Sequence, residues 1–457
     1  MIESINPFTL ESIAIYRPHS QEEIDERLDR STACFALWKT SSFLRRTELL
    51  LELAKGLRAR KKDFALLMAE EMGKPFTQGE AEINKCAWLC EFYAEHGEEY
   101  LKPESVFIEG QSSLIFNEPL GSILGVMPWN YPFWQAFRFI VPTILAGNTI
   151  LLKHASNVTG CAQEIEQLFA ESSAPSGLFE LFLLPGREVS ALIGDPRIHG
   201  VSLTGSEPAG AAVASMAGKV IKPSLLELGG NNAFIVMDDA DLERALESFF
   251  ISRFQNNGQS CIASKRLILH EDIAVKFVEM LEDKIDQMIH GEPSKPDTFM
   301  GPLARVDLAK ELDEQVQESI RQGAQLVRGG KREGAYYEPT ILTNIDREMA
   351  VFKEETFGPV VAVSVVGSFS EAIEMSNDSR FGLGVSIFTN DIEQVLDRSD
   401  AFNEGAVFVN DFVKSDPRLP FGGVKVSGYG RELGRDGALA FVNRKVLVIN
   451  NPEADNN

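Results

Sequence analysis

The stretch GSILGVMPWNYPFWQAFRFIVPTILAGNTILLK, residues 121–153, decides the fold class of this chain. It predicts a strand over 121–127, a helix over 132–145 and a second strand over 148–153. Short apolar strands joined by a helix are typical of a parallel sheet that helices cover on both faces. The stretch therefore indicates an α/β unit.

The same alternation continues to the end of a strand predicted over 224–228. Before it, strands are predicted over 179–184 and 200–203, and helices over 158–172 and 208–217. A doubly wound sheet of this kind binds its ligand in the cleft at the carboxyl ends of its strands. Polar side chains follow several of these ends and are candidate ligand contacts: Asn130, Lys153, Ser156, Thr204 and Ser206.

A second series of strands and helices begins after Gly229-Gly230 and runs to about residue 410, which predicts a second α/β domain. The N-terminal region is predicted to be helical, with helices over 22–39, 42–72 and 78–100.

Two further segments indicate a small β arm. Residues 103–119 alternate like the strands of a hairpin that turns at Glu109-Gly110. The run KVLVIN at 445–450 is strongly β-prone, and an exposed strand of this kind is an aggregation hazard unless it is paired. We expect it to add to a sheet in a neighbouring subunit, with the 103–119 hairpin as a candidate member of that arrangement.

The composition limits the possible partners and compartments. The 67 acidic and 44 basic residues give a net charge of −23, which disfavours nucleic acid or an anionic membrane surface as a partner. The five cysteines include no Cys-x-x-Cys pair, and the sequence lacks a signal-like N-terminus and any run of about 18 apolar residues. We therefore expect a cytoplasmic protein without a membrane span.

Cys261 is the cysteine placed where a nucleophile could act. It follows a predicted amphipathic helix over 241–254 and the turn-forming run Asn256-Asn257-Gly258, in which glycine permits a positive φ and asparagine tolerates it. Because the thiolate is the nucleophile and a free thiol has a pKa of about 8.5, Cys261 needs a base nearby. The alternative is an inert core cysteine.

Other candidate groups are weaker when each is taken alone. Glu227 ends an apolar strand, where a carboxylate has its pKa raised toward that of a general base; a capping or ion-paired glutamate is the alternative. Residues 204–210, TGSEPAG, could seat a phosphate at a helix N-terminus. Cys86 and Cys90 lie four apart on a helix, but no ligand partner is evident and we expect no metal site.

Five motifs together resemble the aldehyde dehydrogenase superfamily in order and in approximate spacing, over nearly the whole chain. They are PWNYP at 128–132, LELGG at 226–230, GQSC at 258–261, EETFGP at 354–359 and PFGGVK at 420–425. The resemblance implies a Rossmann-type dinucleotide-binding domain, a catalytic domain and an oligomerisation arm. We assign these to 1–102 with 120–226, to 227–437, and to 103–119 with 438–457.

The resemblance also implies a role for each matching residue. Cys261 would attack the aldehyde, Asn130 and the Cys261 N–H would form the oxyanion hole, and Glu227 would activate the hydrolytic water. Lys153 and Glu355 would hold the cofactor riboses, with Phe357 beside the nicotinamide. The other cofactor positions are Trp129, Ser156, Thr204, Gly205, Ser206 and Leu228.

Ser156 departs from the family pattern, because many NAD-using members place a glutamate there to bind the adenine ribose. A carboxylate would repel a 2′-phosphate, whereas a hydroxyl can donate to it. We therefore predict that NADP is preferred and that NAD is also accepted.

The substrate is indicated by Arg138 and Ser415. Their placement is similar to that of the carboxylate contacts in the shorter bacterial succinate semialdehyde dehydrogenases, and Arg138 lies in an otherwise apolar helix. An internal salt bridge of Arg138 is the alternative. Glutarate semialdehyde, aliphatic or aromatic aldehydes, a CoA-acylating reaction, a thiol hydrolase and a non-catalytic binding protein stay open. We expect a homodimer or a dimer-of-dimers tetramer.

Overall fold

The computed structural model describes residues 1–109 and 111–450. The N-terminal region contains two strand pairs and four long helices. Its elements are β1 (Ile2–Ile5), β2 (Ser12–Tyr16), α1 (Gln21–Trp38), α2 (Phe43–Ala59), α3 (Lys61–Met72), α4 (Phe76–Leu101), β3 (Glu104–Ile108) and β4 (Gln111–Pro119).

The stretch that decides the fold opens the first large sheet, and its helix spans the predicted residues Pro132–Leu145. The elements are β5 (Ser122–Met127), α5 (Pro132–Leu145), β6 (Thr149–His154), α6 (Thr159–Ala170), β7 (Phe179–Leu181), α7 (Val189–Gly194), β8 (Ile198–Thr204), α8 (Glu207–Lys219) and β9 (Ser224–Glu227).

The remaining elements build the second large sheet and the C-terminus. They are β10 (Asn232–Val236), α9 (Leu242–Phe254), β11 (Ser264–His270), α10 (Glu271–Asp286), α11 (Val306–Arg321), β12 (Gln325–Arg328), β13 (Arg332–Glu333), β14 (Tyr336–Tyr337), β15 (Thr340–Thr343), α12 (Ala350–Lys353), β16 (Val360–Val366), α13 (Phe369–Asn377), β17 (Val385–Phe388), α14 (Ile392–Asp397), β18 (Val407–Val409), β19 (Gly428–Tyr429), α15 (Gly434–Leu439) and β20 (Val442–Asn450).

The first sheet has the strand order β19-β9-β8-β5-β6-β7, and β5 to β9 are parallel. Side chains alternate between two helix-covered cores. Ile150 and Leu152 face the core formed with α2, α4 and α5, whereas Leu151 faces the core formed with α7 and α8. The predicted doubly wound α/β fold is confirmed.

The second sheet has the order β12-β15-β16-β11-β10-β17-β18 and is parallel except for the antiparallel pair β12 and β15. Helices cover both faces here as well, because Phe234 packs with α9 and Ile235 packs with α13. The short strand β19 returns from the C-terminal part of the chain and pairs antiparallel with β9 of the first sheet. The domain limits stay a prediction.

The arm is a three-stranded antiparallel sheet with the order β20-β4-β3. Strand β20 pairs with β4 from Val442 opposite Pro119 to Asn450 opposite Gln111. The tail therefore joins the hairpin within one chain. Gly110 of the predicted turn and residues 451–457 lie outside the described residues.

The single helix predicted over 42–72 is wrong in one respect, because the helix breaks at Arg60. The backbone of Arg60 leaves the helical region (φ −105°, ψ 15°) between α2 and α3. Its guanidinium pairs with Glu164 and lies 4.7 Å from the ring centroid of Phe64. No glycine or proline marks this break in the sequence. Among the described residues, no helix is long and apolar enough to cross a membrane.

Candidate active site

Cys261 lies in the loop between α9 and β11, and the turn before it has the predicted backbone. The Asp241 side chain caps α9 by accepting a hydrogen bond from Arg244 N at 3.1 Å. The chain then turns through left-handed residues, with φ of 55° at Asn256, 58° at Asn257 and 73° at Gly258. This turn presents Cys261, which is partly buried and carries a free thiol.

Buried side-chain amides fix this loop to distant segments. Asn257 Nδ2 donates to the carbonyls of Gly73 and Pro302, at 2.8 Å each. Gln259 Oε1 accepts from Ala304 N at 2.8 Å. Because buried, hydrogen-bonded polar groups stiffen their surroundings, these contacts fix the position of the Cys261 loop.

Asn130 is joined to the same loop. Its side-chain Nδ2 donates to the backbone carbonyl of Gln259 at 3.1 Å. Its backbone carbonyl accepts from Asn256 Nδ2 at 2.7 Å. An amide nitrogen has two N–H donors, so one remains for a ligand. The structure therefore brings Asn130 and the Cys261 loop together, as an oxyanion hole requires.

Glu227 ends β9 with a buried carboxyl group. Within the described residues, neither of its carboxylate oxygens has a hydrogen-bond partner. Burial raises the pKa of Glu227 well above its ordinary value and the charge of Glu432 raises it further, while Arg138 and Arg431 oppose this shift. A Cβ atom at residue 422 would lie 2.6 Å from Glu227 Oε1, so Gly422 makes room for this carboxyl.

Burial raises the pKa of the Cys261 thiol to about 11, although the nearby charges of Lys265 and Arg138 lower it. The free thiol is therefore protonated near neutral pH, and its reaction requires a base.

Lys265 is a site residue that sequence reasoning missed. Its side chain is fully buried, and its ammonium donates to the carbonyls of Gly230, Ser260 and Cys261 at 2.6–2.8 Å. It also pairs with Glu355 Oε1 at 2.9 Å. The available signal was a lysine within the buried run after Cys261, where a charge needs partners.

The expected cofactor contacts gather at the carboxyl ends of four neighbouring parallel strands. Trp129 follows β5, Ser156 follows β6, Thr204 ends β8 with Gly205 and Ser206 after it, and Leu228 follows β9. Glu355 accepts from Gly230 N at 3.0 Å, and the rings of Trp129 and Phe357 meet edge to face at 5.6 Å.

The side chains of two residues in this cleft have no hydrogen-bond partner among the described residues. Burial lowers the pKa of Lys153, and its ammonium has no hydrogen bond or ion pair within the part of the chain that the structure describes. Ser206 stands at the N-cap of α8 without a side-chain capping bond. A desolvated cation and an uncapped helix N-terminus suit the polar and anionic groups of a dinucleotide.

Arg138 and Ser415 line one cavity of about 250 Å³ together with Cys261. The Arg138 side chain forms an ion pair with Glu432 and lies 4.5 Å from the ring centroid of Phe421. The internal salt bridge considered from the sequence is therefore present. The salt bridge engages Nε of Arg138. The rest of its guanidinium, which lines the cavity, has further N–H donors.

Lys85 and Lys74, both missed from the sequence, line the same cavity. Lys74 pairs with Glu82, which also accepts hydrogen bonds from Phe133 N and Trp134 N at the start of α5, at 2.9 Å each.

The family model for "Aldehyde dehydrogenase family" matches residues 1–447. The chain belongs to the aldehyde dehydrogenase family. It is 45% identical over 451 residues to the Synechocystis protein named "Probable succinate-semialdehyde dehydrogenase" for NADP+, covering 98% of this chain and 99% of that one. It is 44% identical to the Escherichia coli succinate semialdehyde dehydrogenase named for NAD(P)+, covering 96% of each chain.

A solved aldehyde dehydrogenase has the same fold throughout. The crystal structure of succinic semialdehyde dehydrogenase from Streptococcus pyogenes with NADP+ superposes with a TM-score of 0.96 at 34% identity, covering 99% of this chain and 100% of that one. This whole-chain match confirms the expected aldehyde dehydrogenase fold.

Proposed function

We propose that this aldehyde dehydrogenase oxidises succinate semialdehyde to succinate with NADP+. The observation that carries the proposal is one cavity that joins Cys261 to Arg138 and Ser415. Its volume of about 250 Å³ lies just below the range of pockets for drug-sized ligands, roughly 300–1,000 Å³, and suits a short aldehyde. The names of the Synechocystis and Escherichia coli relatives support this choice.

The first step is attack of the Cys261 sulfur on the aldehyde carbon. Glu227, whose oxygens have no other partner among the described residues, takes the thiol proton. The free N–H of Asn130 and the Cys261 N–H then donate to the oxygen that becomes negative in the tetrahedral state.

NADP+ would be held by Lys153, Ser156 and Glu355, with Trp129 and Phe357 beside the ring, and when bound it supplies the hydride acceptor. Ser156 supports the choice of NADP because a hydroxyl donates to a 2′-phosphate that a carboxylate would repel. NAD is accepted more weakly.

Glu227 also serves the last step, in which water cleaves the Cys261 thioester and releases the acid. Its raised pKa makes the carboxylate a stronger base than an exposed glutamate, and the low dielectric of its surroundings strengthens its bond to water. Gly422 leaves the space beside its oxygen.

The arm would join subunits in a homodimer or a dimer-of-dimers tetramer. Its outer strands expose a row of large apolar side chains, among them Phe107 at 92% and Val446 at 63% exposure, which supports burial against another subunit. Five free cysteines support a cytoplasmic location, where thiols stay reduced.

The test is a spectrophotometric screen of NADPH and NADH formation with succinate semialdehyde, glutarate semialdehyde, hexanal and benzaldehyde. The highest kcat/KM with succinate semialdehyde and NADP+ is expected, without a need for CoA. An equal kcat/KM for hexanal would contradict the substrate assignment.

Ser156→Glu tests the cofactor assignment separately. We expect the ratio of kcat/KM for NADP+ to that for NAD+ to fall at least about tenfold, because the new carboxylate repels the 2′-phosphate. A wild-type preference for NAD+ would contradict the role given to Ser156.

A further inference from the structure

We propose that Lys85 binds the distal carboxylate of the substrate and so determines the preference for an anionic aldehyde. The inference rests on the proposed oxidation of succinate semialdehyde and adds a residue to its binding site. Lys85 lies on α4, and its ammonium donates to Ser415 Oγ at 2.8 Å. It also lies 4.3 Å from the ring centroid of Trp134 in the cavity that contains Cys261.

Lys85 differs from the other cations of this cavity because it has no carboxylate partner among the described residues. Lys74 pairs with Glu82, and Arg138 pairs with Glu432. Asp416, next to Ser415, pairs with Arg418 at 2.6 Å. The Lys85 ammonium therefore keeps donors that the protein does not use.

A largely desolvated ammonium without a paired carboxylate is unfavourable for the free protein, since burial removes water and no described carboxylate contacts the ammonium in its place. Burial lowers the pKa of Lys85 to about 8, and the charge of Arg138 lowers it further, whereas Cys86, Asp416 and Glu82 raise it. A substrate carboxylate supplies the missing anion, and charge-assisted hydrogen bonds to it are shorter and stronger than neutral ones.

The neighbours of Lys85 define the ligand. The Ser415 hydroxyl can donate to a second carboxylate oxygen, and the Trp134 ring gives an apolar wall for a short methylene chain. A short aldehyde with a terminal carboxylate satisfies the cation at one end and reaches Cys261 with the other. An uncharged aldehyde leaves the ammonium unpaired.

The test compares Lys85→Met and Lys85→Arg with the wild type, and uses Lys276→Met as a control that removes an exposed lysine of α10. We expect KM for succinate semialdehyde to rise roughly 10- to 100-fold in Lys85→Met, the loss for a charged hydrogen bond, with kcat within about threefold. KM for hexanal should not change. Lys85→Arg should recover most of the affinity, and Lys276→Met should match the wild type.

Protection of the thiol gives a readout that does not need turnover. Succinate should slow alkylation of Cys261 by iodoacetamide in the wild type and in Lys85→Arg, but not in Lys85→Met. Equal protection of all three proteins would overturn the role of Lys85, even where the wild type prefers succinate semialdehyde. If the wild type oxidises hexanal as well as succinate semialdehyde, yet succinate protects Cys261 in the wild type and in Lys85→Arg but not in Lys85→Met, the proposed substrate is overturned and the role of Lys85 is not.

The pH dependence of the wild type decides the matter if Lys85→Met does not fold. The ammonium is present below its pKa of about 8 and is lost above it, so KM for succinate semialdehyde should rise between pH 7 and pH 9 while KM for hexanal stays constant. Parallel pH profiles for the two aldehydes would overturn the inference.

Discussion

Replacing Lys265 by methionine removes a buried ammonium and keeps a side chain of similar length. The ammonium connects the Cys261 loop to the expected cofactor contact Glu355. Its acceptors are the carbonyls of Gly230 at 2.6 Å and of Ser260 and Cys261 at 2.8 Å, and Glu355 Oε1 at 2.9 Å.

The expected loss of stability follows from these contacts. Removing one member of a buried ion pair costs about 3–5 kcal/mol, because the other charge is left uncompensated. Glu355 is 21% exposed and keeps its bond from Gly230 N, so water can solvate part of its carboxylate once the ammonium is gone. The broken ion pair should therefore lower the free energy of unfolding by about 3 kcal/mol, the lower end of that range. The carbonyl of Ser260 keeps a bond from Ala263 N at 3.2 Å, whereas those of Gly230 and Cys261 lose the ammonium donor and add about 1–3 kcal/mol.

Two assays separate the effects of Lys265→Met. Urea unfolding should show a clearly lower midpoint, part of which the double variant with Glu355→Gln recovers because neither charge is then left alone. Iodoacetamide alkylation at pH 8 should be slower, since the Lys265 charge lowers the pKa of the Cys261 thiol. Each unit of further increase in that pKa reduces the thiolate about tenfold.

Lys265→Arg keeps the charge and is the matched variant for the alkylation assay. It should retain most of the wild-type rate at pH 8. An unchanged urea midpoint together with an unchanged alkylation rate in Lys265→Met would refute the idea that this ammonium holds the loop and favours the thiolate.

Three further outcomes concern Glu227. Glu227→Gln should slow the first-turnover burst of NADPH, because the amide cannot take the thiol proton, and should lower the steady-state rate roughly 10²–10⁴-fold, as rapid-quench and steady-state measurements would show; an unchanged burst would contradict the role of Glu227 in the first step. The wild-type deacylation rate should increase with pH, because burial raises the pKa of Glu227 and the basic form appears only as pH rises through it; a flat profile from pH 6 to 9 would exclude the carboxyl as the base. Gly422→Ala should lower kcat without changing NADP+ affinity, because the new methyl would lie 2.6 Å from Glu227 Oε1 and 2.8 Å from the Gly430 carbonyl oxygen, so that the carboxyl or the loop beside it must move; an unchanged kcat would contradict the crowding.

Local chemistry explains what the sequence predicted well. The backbone at Asn256, Asn257 and Gly258 could be expected because these residues tolerate a positive φ, and α5 because an apolar run begins at a proline and stops before Gly147. Such signals reside in neighbouring residues. They need no knowledge of the tertiary fold.

The residues that were missed depend on contacts between distant parts of the chain. Lys85 meets Ser415 across 330 positions, and Lys265 meets Glu355 across 90. In the sequence, Lys85 looks like any other charged residue of α4, which carries several. Only the packing of α4 against α5 turns it toward the cavity.

The charges around Cys261 oppose the charge of the whole molecule. The chain carries a net charge of −23, which repels an anionic aldehyde and an anionic dinucleotide at long range. Close to the thiol, however, Lys265 and Arg138 both lower its pKa, and Lys85 keeps unused donors. Exposed charges are screened within a Debye length of about 8 Å at physiological salt, whereas buried cations are screened far less. At that ionic strength the field inside the cavity is therefore set by the buried charges around it, the carboxylates Glu227 and Glu355 as well as these cations, rather than by the net charge. Arg138 and Lys265 are paired with carboxylates, so Lys85 is the cation whose charge is left for an anionic aldehyde under the proposal above.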